Sequence, residues 1–258
     1  MSSTATIDPL AGIPVVYQDA ALLVINKPAG LASLPEGYDP TLPHLKSLLE
    51  PKYGPLWVVH RLDKDTSGVL VLARTAAAHR SLNTQFERHT VVKVYHALVI
   101  GDPDWREKTV NLALRPNGDR QHRTVIDPQH GKPAITHLKV LERLGGYSVL
   151  EAIPETGRTH QIRAHLSTLK LAIVGDNLYR LSPAGENAPI PAPTTFKLEY
   201  SIHFEQGMGL HARLLAINHP VSGAKLTFIA PYPAAWEAAL QQLRSLTSGD
   251  TAHKRSVR

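Results

Sequence analysis

Apolar residues along this chain gather mostly in short runs closed by turn residues, with only a few stretches at helical spacing. "VVYQDAALLVINKPAG", residues 15–30, reads as a strand, a Gln-Asp turn and a second strand stopped by Lys-Pro-Ala-Gly. "PLWVVHRLD" (55–63) is a strand running into a loop, and "GVLVLAR" (68–74) is an apolar strand leaving it. "TVVKVYHALVIG" (90–101) alternates in the strand manner and ends at a glycine. Further strands are predicted at 124–126, 137–143 and 147–153, and a closing hairpin from "LHARLLAINHP" (210–220) and "KLTFIAP" (225–231). Four stretches read as helices instead. These are a short one at 42–49, "TAAAHRSLNTQFERH" with Thr75 as its N-cap, "THQIRAHLSTLK" with Ile162, Leu166 and Leu169 on one side, and "AAWEAALQQLRSL" (234–246).

Strands outnumber helices, and several neighbours are joined by short turns. The pattern therefore predicts an α+β fold on a largely antiparallel sheet, not a doubly wound one. One domain is expected over residues 13–246, after a disordered lead at 1–12. "SPAGENAPIPAPTT" (182–195) reads as an exposed Pro-rich excursion, and residues 247–258 as a basic disordered tail. No internal repeat is visible.

Composition narrows the partners. The 258 residues carry a net charge of +6, and the surplus sits in the middle. Residues 60–180 hold 18 Lys+Arg against 12 Asp+Glu, and the rest of the chain 10 against 10. A polyanionic partner fits that distribution, and so does a solvated basic surface. Cysteine is absent, which excludes disulfides, thiolate metal sites and Cys nucleophiles. No secretory leader or membrane-length apolar run is present, so a cytoplasmic protein with no membrane association is expected.

"HRLDKDTSG", residues 60–68, concentrates the chemistry. Its second aspartate, Asp65, opens the "DTSG" of an aspartic protease turn. Such enzymes need two of these turns set in apolar strand, whereas this chain has one, preceded by charged "DK". A Ser67–His60–Asp63 triad has no G-x-S-x-G elbow, and no Gly-rich phosphate loop or nucleotide fingerprint occurs. The fourteen histidines are dispersed without metal-ligand spacing, and read as solvated or nucleic-acid-facing. What remains is Asp63 in a loop and the downstream arginines Arg158 and Arg163 in "ETGRTHQIRAHL". An arginine against Asp63 would keep it ionised, but on residue chemistry alone a structural ion pair serves equally well.

Eight strings taken together resemble the RluA-type branch of RNA pseudouridine synthases. They are "NKPAGL" (26–31), "HRLDKDTSGVLVLAR" (60–74), "KVYHALVIG" (93–101), "GKPAITHLKVLER" (131–143), "ETGRTHQIRAHL" (155–166), "IVGDNLY" (173–179), "LHARLLAINHPVSG" (210–223) and "IAPYP" (229–233). They follow the family's order. The resemblance implies the family's catalytic fold, a mostly antiparallel mixed sheet with flanking helices and a central active-site cleft. It implies isomerisation of uridine in ribosomal or transfer RNA to pseudouridine. The bond from ribose carbon 1′ to uracil nitrogen 1 breaks, the base turns, and carbon 5 is joined instead, so no cofactor or metal is required.

Carried over by position, the resemblance makes Asp63 the catalytic aspartate and Asp65 a turn residue. Arg163 would pair with Asp63, and Tyr95 would stack on the uracil and suit removal of the carbon 5 proton. Arg61 matches an intercalating arginine that would fill the gap left by a flipped base, an extrusion costing roughly a few kcal/mol. Ile162 would line the uracil pocket, Lys27 and Pro28 would be structural, and Lys64, Arg120, Arg123 and Arg158 would contact the RNA backbone. Larger relatives place a small RNA-binding domain ahead of the catalytic one. Here the pattern begins near residue 13, so target choice is expected to rest on the catalytic domain, its excursion or its tail, acting as a monomer. A non-catalytic RNA-binding protein on the same fold is the alternative, and the joint presence of Asp63, Tyr95 and Arg163 counts against it.

Overall fold

The computed structural model describes residues 13–35, 41–180, 202, 204 and 206–255, with side chains to 247. The expected lead and the 182–195 excursion lie outside the described residues. In chain order the elements are β1 (Val15–Gln18), β2 (Leu22–Lys27), α1 (Leu45–Tyr53), β3 (Trp57–Val58), β4 (Ser67–Ala73) and α2 (Ala76–Glu87). There follow β5 (Val92–Ile100), β6 (Glu107–Asn111), β7 (Leu114–Arg115), β8 (Val125–Ile126), β9 (Ile135–Arg143) and β10 (Tyr147–Pro154). The chain then forms α3 (Gln161–Thr168), β11 (Ala172–Ile173), β12 (Leu210–Asn218), β13 (Lys225–Ile229) and α4 (Ala234–Arg255).

The chain divides into two compact units. Unit 1 comprises residues 1–92 and 212–231, and unit 2 residues 93–211 and 232–258. In unit 1, β2 pairs antiparallel with both β1 and β4, β3 adds to β4, and β13 pairs antiparallel with β12. Every residue of β2 and β4 is buried, as expected of strands covered on both faces. Gly68 is required where β4 meets β12. Its φ is +117°, and a Cβ there would lie 2.3 Å from the Ala212 carbonyl oxygen. α2 is capped as the sequence predicts, the Thr75 hydroxyl accepting from the Ala78 N–H at 3.1 Å. α1 begins three residues later than expected, because His44 and Ser47 form a reciprocal capping box there.

In unit 2 the strand order is β5–β10–β9–β6, with β11 also on β5, and β7 pairs with β8 apart from them. The ladders of β10 with β5 and β9, and of β9 with β6, are antiparallel. One apolar cluster joins Ala97, Val99, Leu138, Leu150, Ile162 and Leu166 to the 208–210 segment. A second forms around Trp236 of α4, with Leu98, Tyr147, Val149 and Leu240.

Other features also depart from the sequence pattern. β6, "EKTVN", was not foreseen, since a strand with four of five residues exposed carries almost no apolar signal. α4 continues to Arg255 through most of the stretch assigned to a tail. Once a helix is nucleated, each added residue gains a hydrogen bond without a new nucleation cost. α3 starts at Gln161, later than Thr159, because His160 adopts a left-handed φ of 51° just before it.

Candidate active site

In unit 1 the loop carrying Asp63 is immobilised through its main chain. Leu62 is buried, and its backbone exchanges two hydrogen bonds with the Ser33 hydroxyl. The hydroxyl donates to the Leu62 carbonyl at 3.0 Å and accepts from the Leu62 N–H at 3.3 Å. The Lys64 carbonyl accepts from the Gly30 N–H at 2.9 Å and from the Lys27 ammonium at 3.0 Å. Lys27, at the end of β2, is wholly buried, and its Nζ also donates to the carbonyls of Pro28 (2.9 Å) and Leu31 (2.7 Å). Three acceptors thus match the three donors of an ammonium. Burial pulls the Lys27 pKa down to about 7, against the opposing pull of the Asp65 and Asp63 charges. The structural role expected of Lys27 is therefore specific: it ties the 28–31 segment to the Lys64 carbonyl, just after Asp63.

Upstream, the His60 ring stacks on Phe86 at 4.7 Å and accepts the Val71 N–H at Nε2, 3.0 Å, which leaves its proton on Nδ1. The Asp63 carbonyl accepts from the Thr66 N–H at 3.1 Å and closes the turn. Asp63 itself is half-buried, whereas Arg61, Lys64 and Asp65 are exposed. One short loop therefore brings together Asp63, Arg61 and Lys64. Asp65 sits at its solvent side, in the turn where it was expected.

Unit 2 holds the other expected groups. Tyr95 lies on β5 opposite Ala152 and packs, half-buried, against the cluster that contains Ile162. Two residues before it, Lys93 donates to the Thr156 carbonyl at 3.1 Å, and burial lowers its pKa to about 8. Gln161 fastens the start of α3 with its whole amide. Its Oε1 accepts from the Thr156 hydroxyl (2.6 Å) and the Arg158 N–H (3.0 Å), and its Nε2 donates to Ile135 O (2.9 Å) and the Thr136 hydroxyl (3.0 Å).

Arg163, in the first turn of α3, is buried and held by a residue the sequence pattern did not single out. Its Nε and Nη2 donate to Oδ2 and Oδ1 of Asp176 at 2.7 and 2.8 Å, a bidentate pair. Burial alone would raise the Asp176 pKa. Arg163 and the backbone N–H groups of Leu178 and Tyr179 outweigh it and hold the carboxyl below its usual value. The Tyr179 ring lies 5.0 Å from the guanidinium carbon. Both residues lie in "IVGDNLY", one of the eight matching strings.

The remaining cations differ in availability. Arg120 and Lys64 are exposed. Arg123 is drawn into its own turn, its Nε donating to Asp119 at 2.6 Å, and Arg158 donates to the Pro133 carbonyl at 3.1 Å. The reading of the histidines as solvated or RNA-facing needs correction. His165 and His211 are fully buried. His165 bridges the Thr136 hydroxyl (2.9 Å) and the Leu112 carbonyl (3.1 Å), while His211 packs among Tyr232 and Trp236. A neutral imidazole placed between one donor and one acceptor is satisfied in the core. No helix among the described residues is long and apolar enough to cross a membrane.

The family model for RNA pseudouridylate synthase matches residues 21–168, a segment that contains Asp63, Tyr95 and Arg163. An uncharacterised RNA pseudouridine synthase of Synechocystis sp. is 39% identical over 242 residues, spanning 90% of this chain and 69% of that protein. The ribosomal large subunit pseudouridine synthase D of Pseudomonas aeruginosa is 36% identical over 243 residues, or 90% of this chain and 72% of its own. Among solved structures, human RNA pseudouridylate synthase domain containing 4 superposes with a TM-score of 0.70 at 28% identity. That match covers 90% of this chain and 93% of the human one.

Proposed function

The chain belongs to the RNA pseudouridine synthase family, an isomerase of uridine in RNA, and from that premise we propose which residues act and on which RNA. Asp63 is the catalytic carboxylate, acting on the ribose of the target uridine either as nucleophile at carbon 1′ or as base at the 2′ proton. Arg163 is the cation proposed to act with it at the reacting uridine. Tyr95 stacks on the uracil and accepts the carbon 5 proton once the new bond has formed. Nitrogen 1 gains a proton in turn, so the atoms balance. Ile162 contributes the apolar wall beside Tyr95.

A uracil within structured RNA must leave its stack to reach Asp63, and Arg61 is the group proposed to fill the gap. It is exposed two residues before Asp63, and its planar guanidinium stacks on bases. Lys64, Arg120 and Arg158 supply backbone contacts. Arg123 contributes chiefly by shaping the turn that displays Arg120. The observation that carries the reading is the Asp63 loop itself. Its neighbours' carbonyls are locked by Lys27, Ser33 and Gly30, which fixes the backbone that carries the half-buried Asp63.

The substrate proposed is large-subunit ribosomal RNA, on the strength of the relatives named for it. The test is tritium release from RNA carrying uridine labelled at carbon 5, with ribosomal and transfer RNA transcripts compared. Asp63→Asn should lower release by more than about 1,000-fold, whereas Asp65→Asn should retain it. Release that survives in Asp63→Asn would overturn the assignment. Release from transfer RNA alone would overturn the proposed target but not the reaction.

A further inference from the structure

The catalytic reading leaves one buried constellation unused, the group surrounding Arg163. Two hydrogen bonds from Nε and Nη2 and a ring face restrain this single side chain. Such restraint is not needed to hold α3. Gln161 already fastens its start with four hydrogen bonds, and His165 ties its last turn to Thr136 and Leu112. The restraints are themselves restrained. Asp176 has a fully buried side chain, and its Oδ1 also accepts from the N–H groups of Leu178 (2.9 Å) and Tyr179 (3.1 Å). The carboxylate therefore cannot rotate to follow a moving guanidinium without breaking its own turn.

Tyr179 adds a second link. Its hydroxyl accepts from the Thr124 N–H at 2.8 Å and lies 3.2 Å from both the Thr124 carbonyl and His160 Nδ1. Thr124 follows the turn that Asp119 and Arg123 close and that displays Arg120. One phenol thus touches both the guanidinium and the backbone of the basic turn.

We propose that Asp176 and Tyr179 are positioning residues for the isomerisation. Asp176 fixes the plane of the Arg163 guanidinium and so aims the edge that carries Nη1, and the Tyr179 hydroxyl couples that plane to the 118–124 turn that meets RNA. The inference rests on Arg163 acting at the reacting uridine. The Asp176 pair occupies Nε and Nη2, so rotation about the last side-chain bonds is closed off, and the remaining edge has one direction. Misplacing a catalytic group by an ångström costs on the order of 100-fold in rate.

The experiment measures single-turnover tritium release and RNA affinity for wild type, Asp176→Asn, Tyr179→Phe, Arg163→Lys and the Arg163→Lys/Asp176→Asn pair. Hydrogen exchange of the Arg163 Nε–H, assigned by its loss in Arg163→Lys, is followed alongside. Asp176→Asn should slow the saturated single-turnover rate by roughly 30- to 100-fold with RNA affinity little changed, and should lose protection at the Arg163 Nε–H. Tyr179→Phe keeps the ring and loses the link to Thr124, so it should weaken RNA affinity more than it slows the rate. In the Arg163→Lys background, Asp176→Asn should add little further loss, as expected of two residues acting as one unit. A rate within about twofold of wild type in folded Asp176→Asn, or losses that simply multiply in the double variant, would overturn the proposal. If wild type releases no tritium from any RNA, the catalytic reading fails. The exchange signal then still decides whether Asp176 fixes the guanidinium. Should Asp176→Asn fail to fold, the Tyr179→Phe split between affinity and rate decides.

Discussion

Unit 1 and unit 2 hold the side chains proposed for catalysis by opposite means. Around Asp63 the anchors grip the backbone: the Lys27 ammonium on the Lys64 carbonyl, Ser33 on both backbone groups of Leu62, and the Gly30 N–H on Lys64 again. Around Arg163 they grip the side chain itself, through Asp176 and the Tyr179 ring. The contrast follows from where each residue sits. A loop residue has no helical ladder to define its backbone, so the loop must be pinned on either side. A helix fixes the Arg163 backbone for nothing extra, but a long side chain with several rotatable bonds still has to be aimed.

Breaking the unit 1 anchor should have the largest effect on stability. Lys27→Met leaves the Pro28 and Leu31 carbonyls without their buried donor, at a cost of roughly 2–4 kcal/mol by the usual penalty for unsatisfied groups. Release of the Lys64 carbonyl should lower isomerisation at the same time. Urea denaturation and tritium release on the same preparation check both, and a variant as stable as wild type would mean the carbonyls find other partners. A smaller cost, about 1–2 kcal/mol, is expected for Gln161→Ala in unit 2, because four bonds are lost but water can reach the start of α3. If Gln161→Ala proves costlier than Lys27→Met, the side-chain network carries more of the fold than the backbone anchors do.

The smallest effect should appear only in acid. Burial lowers the His165 pKa below its ordinary value near 6.5, with the Leu112 carbonyl opposing the shift. The unfolded chain therefore binds the extra proton first. The contribution of His165 is fully present above about pH 6.5 and is lost as the pH falls through the lower, folded-state value. Unfolding free energies between pH 8 and pH 5 should decline less steeply in His165→Gln than in wild type. An equal slope in both would place the acid sensitivity in another group.

Much of this was legible in the chain. The long apolar runs of β2, β4, β5 and β10 and the capped helix α2 stand where the pattern puts them, since burial on a regular element imposes a period that the residues must obey. The proposed site residues Asp63, Tyr95 and Arg163 lie in the ordered matching strings. β6 escaped because an exposed strand has no apolar face to declare itself, and the end of α4 because polar composition does not prevent a nucleated helix from continuing. His165 was misread as solvated because an imidazole looks the same in sequence whether it meets water or a threonine and a carbonyl.

By itself, then, the sequence determined the fold class, the family and the residue types the chemistry needs, in order along the chain. Only the tertiary structure decided which groups hold them. Lys27 reaches a carbonyl 37 residues away, Arg163 takes its carboxylate from 13 residues downstream, and Tyr179 grips a backbone 55 residues upstream. Those pairings depend on which polar groups are buried side by side without water, and no periodicity along a chain encodes that neighbourhood.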